Sequence, residues 1–208
     1  MIPLDTLAIF FVTSLLLGLM PGPDNIFVLT QSVLRGPAAG LMVMIGLCTG
    51  LVVHTTAVAL GVAAIFQASS LAFTALKLIG AAYLLYLAWQ AFRASAAGLV
   101  ASAERGLSGW QLYRRGILMN VTNPKVSIFF LAFLPQFADP ARGPLAIQML
   151  LLGGVFIVAT LIVFGGVALL AGSLGQRLLR SAKAQRIITR IAGTVFVALA
   201  LKLASAER

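Results

Sequence analysis

The sequence predicts an all-α polytopic membrane protein with six transmembrane helices, arranged as two inverted three-helix repeats. Three observations predict this fold: an apolar composition, six apolar stretches of spanning length, and basic residues concentrated in alternate connections. Of the 208 residues, 61% are hydrophobic and only 10% are charged. A soluble domain of this size could not cover its exterior with so few charges. We therefore treat residues 1–208 as a single transmembrane domain.

Six apolar stretches have roughly the 20 residues that a helix needs to cross a bilayer. In chain order they are Leu4–Leu34, Gly40–Phe66, Leu71–Phe92, Gly116–Phe137, Leu145–Leu170 and Ile187–Leu203. The first two exceed a simple crossing, which predicts a kinked helix and a tilted helix respectively. The first stretch also lacks a basic start and a small-residue cleavage pattern, so we interpret it as a retained helix rather than a signal peptide.

The net charge of +10 does not indicate a nucleic-acid partner, because the cations lie in alternate connections. The connections after spans one, three and five hold most of the basic residues: Arg35, Arg93, Arg105, Arg114, Arg115, Arg177, Arg180, Lys183 and Arg186, and Arg190 lies in the first turn of span six. The connections after spans two and four hold almost none. This asymmetry places the basic connections in the cytoplasm and predicts both termini outside. We expect the basic stretch Trp110–Arg115 to lie on anionic lipid headgroups.

Internal similarity divides the chain into repeat 1 (about residues 1–92), a basic cytoplasmic loop (about 93–115) and repeat 2 (about 116–208). Spans three and six share a cation, a glycine and an aromatic residue at equal spacing: Lys77, Gly80 and Tyr83, and Arg190, Gly193 and Phe196. Spans one and four are each interrupted by proline followed by a charge. Because three spans per repeat is an odd number, the second repeat must be inverted, as in many transporters.

The two interruptions supply the candidate site residues. The first break contains Pro21, Gly22, Pro23, Asp24 and Asn25, and the second contains Asn123, Pro124 and Lys125, with Asn120 one turn earlier. Proline removes a backbone donor and clashes with the preceding turn, so carbonyls should be freed around Ser14–Leu19. Interrupted membrane helices survive only against protein or a hydrated cavity. Broken helices in matching halves therefore indicate a transporter's substrate site, although simple structural kinks are the alternative.

Asp24 and Lys125 are the strongest candidates, because a charge at the centre of a membrane helix costs roughly 2.5–3.5 kcal/mol. One interpretation is a structural ion pair between the halves, or snorkelling to the surface. The other is that the substrate's own charges replace the pair, with Asp24 also able to carry a coupling proton. Half-helix ends suit a carboxylate and free carbonyls suit an ammonium group, so an amino acid matches both.

Three further residues are weaker candidates. Gln31 lies two turns beyond Asp24 and could line the same path. His54 could relay protons, but a helix–helix contact is the commoner role of a lone membrane histidine. Tyr83 has the spacing of packing or of an interface belt. The sequence contains no metal-ligand cluster, phosphate loop or nucleophile triad, and it indicates neither a cofactor nor an enzyme.

The chain resembles the LysE/RhtB family of bacterial amino-acid exporters. The resemblance rests on the blocks Gly18–Pro23, Lys77–Tyr86, Gly116–Lys125 and Phe130–Phe137. It implies an inner-membrane protein that exports amino acids or close derivatives, driven by proton exchange. The family's motif positions carry over as Pro21, Gly22, Pro23, Asn123, Pro124 and Lys125, whereas Asp24 is added from its position alone. After Tyr86 this chain reads Leu-Ala-Trp where the family commonly has glycine.

The expected partners are an amino acid or derivative as substrate, a coupling proton and the lipid bilayer. The sequence is also compatible with a homodimer. Two other functions remain as alternatives. A non-transporting scaffold or accessory subunit would use the charged breaks for assembly, and a passive channel would show flux without saturation. A thiol relay is excluded, because Cys48 is the only cysteine.

Overall fold

The computed structural model describes residues 2–20, 22–68, 70–93, 106–171 and 182–205. Regular structure in these ranges is helical and includes no strand, which confirms the all-α prediction. The α-helices are α1 (Leu4–Leu19), α2 (Pro23–Arg35), α3 (Pro37–Ala68), α4 (Ser70–Arg93), α5 (Gly109–Val121), α6 (Pro124–Ile128), α7 (Leu145–Leu170) and α8 (Ala182–Ser205). Between α6 and α7 lie a π-helical turn and two 3₁₀ turns: Phe129–Phe133, Leu134–Phe137 and Pro140–Arg142.

The described residues contain two to four candidate membrane spans. Helix α7 and the Pro37–Gly61 part of α3 are each long and apolar enough to cross alone. Helices α1 and α2 reach that length only together, across a bend of 63°, and α5 with Pro124–Phe137 does so across a bend of 50°. The chain is therefore a multi-pass membrane protein. The predicted third and sixth spans, which fall in α4 and α8, are not confirmed; α4 offers only a shorter apolar segment, Leu78–Gln90.

Helix α5 begins before the predicted start of span four at Gly116. The Ser108 hydroxyl accepts a hydrogen bond from the Gln111 amide (3.3 Å), and the Gln111 side chain accepts one from the Ser108 amide (2.7 Å). This reciprocal cap begins a helix at Gly109, about two turns before the predicted start. Trp110–Arg115 is consequently the first half of α5. The Arg115 guanidinium lies 5.2 Å from the centre of the Phe27 ring on α2.

Two hydrophobic clusters lie on either side of the helix breaks. The aromatic cluster contains the rings of Phe10, Phe129, Phe130, Phe133, Phe137 and Phe156. The second cluster joins α2, α3, α5 and α7 through Phe27, Val28, Val43, Met44, Leu47, Leu112, Val163 and Phe164. Helix α3 enters both clusters, contributing Leu47 to the second and Leu51 to the core around the aromatic one. Both breaks therefore lie at the level where one packed core gives way to the other.

Helices α3 and α5 cross with backbones in contact. A Cβ added to Gly46 would lie 3.0 Å from Gly116 Cα, and one added to Gly116 would lie 3.1 Å from Gly46 Cα. One turn further along, a Cβ on Gly50 would lie 2.7 Å from the Asn120 side chain. Small residues permit such close approach of membrane helices. The crossing fixes the end of α5, and with it the second break, against the middle of α3.

Gly116→Ala is expected to destabilise the protein by about 1–3 kcal/mol, because the added methyl group overpacks the crossing. The matched control is Gly154→Ala in α7, where an added Cβ would meet no atom of the described residues within 4 Å. Thermal unfolding in detergent and abundance in the membrane measure the effect. An equal loss of stability in Gly116→Ala and Gly154→Ala would contradict the close packing of α3 and α5.

Candidate functional site at the two helix breaks

The first break separates α1 from α2. Helix α1 ends at Leu19, Met20 and Gly22 are extended, and Pro23 occupies the first position of α2. Proline suits that position because its missing N–H would have no intrahelical acceptor. Pro21 lies outside the described residues. The break thus falls where the sequence predicts it.

Two carbonyls at the end of α1 accept hydrogen bonds from side chains. Lys125 Nζ donates to the Leu17 carbonyl (3.2 Å), and Asn25 Nδ2 donates to the Gly18 carbonyl (2.8 Å). Both carbonyls lie within the Ser14–Leu19 segment that the prolines were expected to free. Sequence reasoning missed them as individual site residues, although their position just before a double proline is a usable signal.

Asn123 links the second break to the first. Helix α5 ends at Val121, and Asn123 caps α6 by accepting a hydrogen bond from the Lys125 amide through Oδ1 (3.0 Å). Its Nδ2 donates to Asp24 Oδ2 (2.9 Å), across the two halves of the chain. Pro124 fills the first position of α6, as Pro23 does in α2. The two breaks therefore form one site.

Asp24 and Lys125 belong to this site without a direct ion pair. Within the part of the chain that the structure describes no salt bridge joins them, because Asp24 Oδ2 accepts from Asn123 and Lys125 Nζ donates to the Leu17 carbonyl. A Cβ added to Gly22 would lie 3.5 Å from Lys125 Nζ, which places the ammonium against the first break. Asn123 therefore contacts the carboxylate, and the Leu17 carbonyl contacts the ammonium.

Four buried side-chain oxygens have no hydrogen-bond partner among the described residues: Asp24 Oδ1, Asn25 Oδ1, Gln31 Oε1 and Asn120 Oδ1. Asp24 is 6% exposed, Asn120 is 3% exposed and Gln31 is 1% exposed. An unsatisfied buried polar group costs about 1–3 kcal/mol. All four atoms are acceptors; those of Asp24 and Asn25 lie at the first break, that of Asn120 lies just before the second, and that of Gln31 lies further along α2.

The weaker candidates lie at different distances from the breaks. Gln31 is seven residues beyond Asp24 on the same face of α2, about 10 Å along the axis. His54 Nε2 lies 3.2 Å from the Asn120 carbonyl, and its ring lies 5.7 Å from Phe130, which fits a helix–helix contact. Tyr83 lies on α4 beside Tyr86, with ring centres 5.9 Å apart, and packs against the core that contains the aromatic cluster. The residues that the structure describes contain no group of three metal ligands.

The fold and the site define a helical membrane protein whose two interrupted helices meet at a shared polar site, an arrangement typical of secondary transporters. The sequence profile of the LysE type translocators matches residues 15–207. The chain belongs to this family of translocators.

Several relatives are similar over nearly their whole length. The chain is 36% identical to the homoserine/homoserine lactone efflux protein of Salmonella typhimurium, over 95% of each chain. It is 34% identical to an uncharacterized membrane protein of Vibrio cholerae, over 95% of this chain and 96% of that one. It is 24% identical to the leucine efflux protein of Salmonella choleraesuis, over 95% and 94%. No solved structure matches the chain.

Proposed function

We propose that this translocator exports amino acids or close derivatives from the cytoplasm and binds them where its two broken helices meet. The observation that carries the proposal is the link between the breaks: Asn123 donates to Asp24 and Lys125 donates to the Leu17 carbonyl. A zwitterion has a positive group that can pair with Asp24 and a negative group that can pair with Lys125. The names of the homoserine/homoserine lactone and leucine efflux relatives support the same substrate class.

The depth of the site supports a position near the middle of the membrane. Asn120 packs against Gly50, which lies close to the centre of the Pro37–Gly61 segment of α3. Packed cores lie on both sides of this level. The distribution of basic residues supports an inner-membrane orientation with both termini in the periplasm.

The packing also supports six crossings in two inverted repeats. Helix α5 packs along α3, and its counterpart α1 packs along α7, where a Cβ on Gly18 would lie 3.4 Å from Val163. The third elements of the two halves, α4 and α8, pack on each other. A two-fold axis in the membrane plane produces this set of contacts. Alternate exposure of the site would then follow from one repeat rocking against the other.

Proton antiport is the coupling that the site supports best. Asp24 is a buried carboxylate with one unpartnered oxygen among the described residues, so it can hold either a proton or the substrate's ammonium. Competition between the two for one carboxylate makes the binding of each exclude the other. Opposed binding of this kind is what an exchanger requires.

Uptake into everted vesicles tests the function. With a panel of labelled amino acids and an imposed proton gradient, we expect saturable, gradient-dependent uptake of at least one substrate. Lys125→Ala should lower uptake at sub-saturating substrate by at least about 30-fold, since removing one partner of a buried charged contact costs 2 kcal/mol or more.

Arg142→Ala is the matched control, because Arg142 forms an exposed ion pair with Asp139 (3.0 Å) away from the breaks. Its uptake should equal that of the native protein. Flux without saturation or counter-transport would instead identify a passive channel. The absence of any substrate-dependent signal across the panel would identify a scaffold or accessory subunit and overturn the proposal.

A further inference from the structure

We propose that the Lys125 ammonium occupies, in the substrate-free protein, the subsite that receives the ammonium group of the substrate. Lys125 Nζ donates to the Leu17 carbonyl at 3.2 Å and lies against Gly22 at the turn of the first break. The Asp24 carboxylate lies at the same break and can supply the opposite charge. The ligand of this subsite is the primary ammonium group of an α-amino acid or of a derivative that keeps a free amine.

The acceptor chemistry of the first break carries this assignment. The carbonyl end of α1 has the negative pole of the helix dipole, and Asp24 adds a carboxylate. Asp24 Oδ1 and Asn25 Oδ1 are buried oxygens that no described residue satisfies. A primary ammonium brings three donors and a positive charge, whereas a carboxylate would be repelled by the Asp24 carboxylate.

Lys125 can leave the subsite because it enters from the other half of the molecule on a flexible four-carbon stem, and it is only partly buried. An incoming ammonium would take over the Leu17 carbonyl and the free oxygen of Asp24. The released Lys125 ammonium would then be able to meet the substrate's carboxylate near the start of α6. The first break would then bind the ammonium group of the substrate, and Lys125 would bind its carboxylate.

Charge balance explains why a zwitterion is preferred over a simple cation. The empty site holds one negative and one positive side chain, and a bound zwitterion leaves that sum unchanged. A bound inorganic cation would leave an uncompensated positive charge in a low-dielectric site, which is unfavourable. The assignment of the ammonium subsite rests on the proposed export function, but its occupancy can be measured without transport.

Restoring the missing fragment to a Lys125→Ala variant tests the inference. This substitution removes Cγ to Nζ, which corresponds to propylammonium, a cation at pH 7. For the full chain purified in detergent, propylammonium chloride at about ten times its Kd should raise the folded-to-unfolded ratio about tenfold. For a chain of this size the midpoint of thermal unfolding, followed by helical circular dichroism, should then rise by about 3–6 °C. Lys125→Ser is a second cavity-forming variant for the same measurement.

Three controls isolate the subsite. The native protein should show no rise, because its own lysine fills the site. Tetramethylammonium should have no effect on Lys125→Ala, because it has no N–H donor. Propylammonium should also have no effect on Asp24→Asn/Lys125→Ala, which lacks the counter-charge.

The inference is overturned if propylammonium stabilises neither Lys125→Ala nor Lys125→Ser. It is also overturned if propylammonium stabilises Asp24→Asn/Lys125→Ala as much as it stabilises Lys125→Ala. Vesicle uptake reports separately on export. Stabilisation without transport would retain the subsite and reject the proposed function, and transport without stabilisation would do the reverse.

Discussion

Neutralising Asp24 and Lys125 together is expected to cost less stability than neutralising Lys125 alone. Lys125→Met leaves the 6% exposed Asp24 carboxylate without its counter-charge. Leaving a buried charge without its counter-charge typically costs about 3–5 kcal/mol, whereas removing both charges is often nearly neutral. In Asp24→Asn/Lys125→Met, the asparagine can still accept the hydrogen bond from Asn123. We expect a coupling energy of about 1–3 kcal/mol between the two sites.

A double-mutant cycle measures this coupling through reversible unfolding of the purified protein in mixed detergent micelles. The exposed pair Asp139 and Arg142 provides the control cycle, since the two side chains are 48% and 50% exposed. Its coupling should be no more than about 1 kcal/mol, despite a contact of 3.0 Å. Additivity within about 0.5 kcal/mol at Asp24 and Lys125 would show that their charges do not interact.

Asn123→Ala is expected to damage both stability and transport, because one side chain caps α6 and holds Asp24. Loss of the cap costs about 1 kcal/mol. Loss of the hydrogen bond to the Asp24 carboxylate costs about 1.5–3 kcal/mol more. Asn123→Ser separates the two roles, because its shorter hydroxyl can cap the helix but cannot reach across to Asp24. The stability order should be native, then Asn123→Ser, then Asn123→Ala.

Uptake in everted vesicles should fall strongly in both Asn123 variants, because each loses the link between the breaks. Asn123→Asp extends the test by facing Asp24 with a second carboxylate, and its uptake should fall at least as far. Normal uptake in Asn123→Ser would mean that the link to Asp24 has no part in transport. In that case the asparagine would be a helix cap alone.

The breaks could be predicted from the sequence because their causes are local. Proline removes a donor at a known position, so the ends of α1 and α5 follow from Pro23 and Pro124. The freed carbonyls near Leu17 follow by the same reasoning. The start of α5 also had a local signal, the Ser108–Gln111 capping box, but the basic residues behind it suggested a loop.

The contacts between the halves could not be predicted, because they depend on how distant segments pack. Asn123 and Asp24 are 99 positions apart, and Lys125 and Leu17 are 108 apart. The sequence suggested a direct pairing of Asp24 with Lys125 as one possibility. It did not indicate that Asn123 would contact the Asp24 carboxylate and that a backbone carbonyl would contact the Lys125 ammonium. Gln31 Oε1, which has no hydrogen-bond partner in the described part of the chain, likewise depends on what α2 packs against.

The aromatic cluster has a consequence for the speed of the proposed export cycle. Six phenylalanine rings pack beside the site on one side, among them Phe129 and Phe133 with centres 4.8 Å apart. Each buried ring is worth about 1.5–3 kcal/mol, so separating several of them is a steep barrier. In the proposed orientation this side faces the periplasm. We therefore expect the site to be closed to the periplasm in the resting protein. Release of the substrate past these rings should be the slow step of each transport cycle.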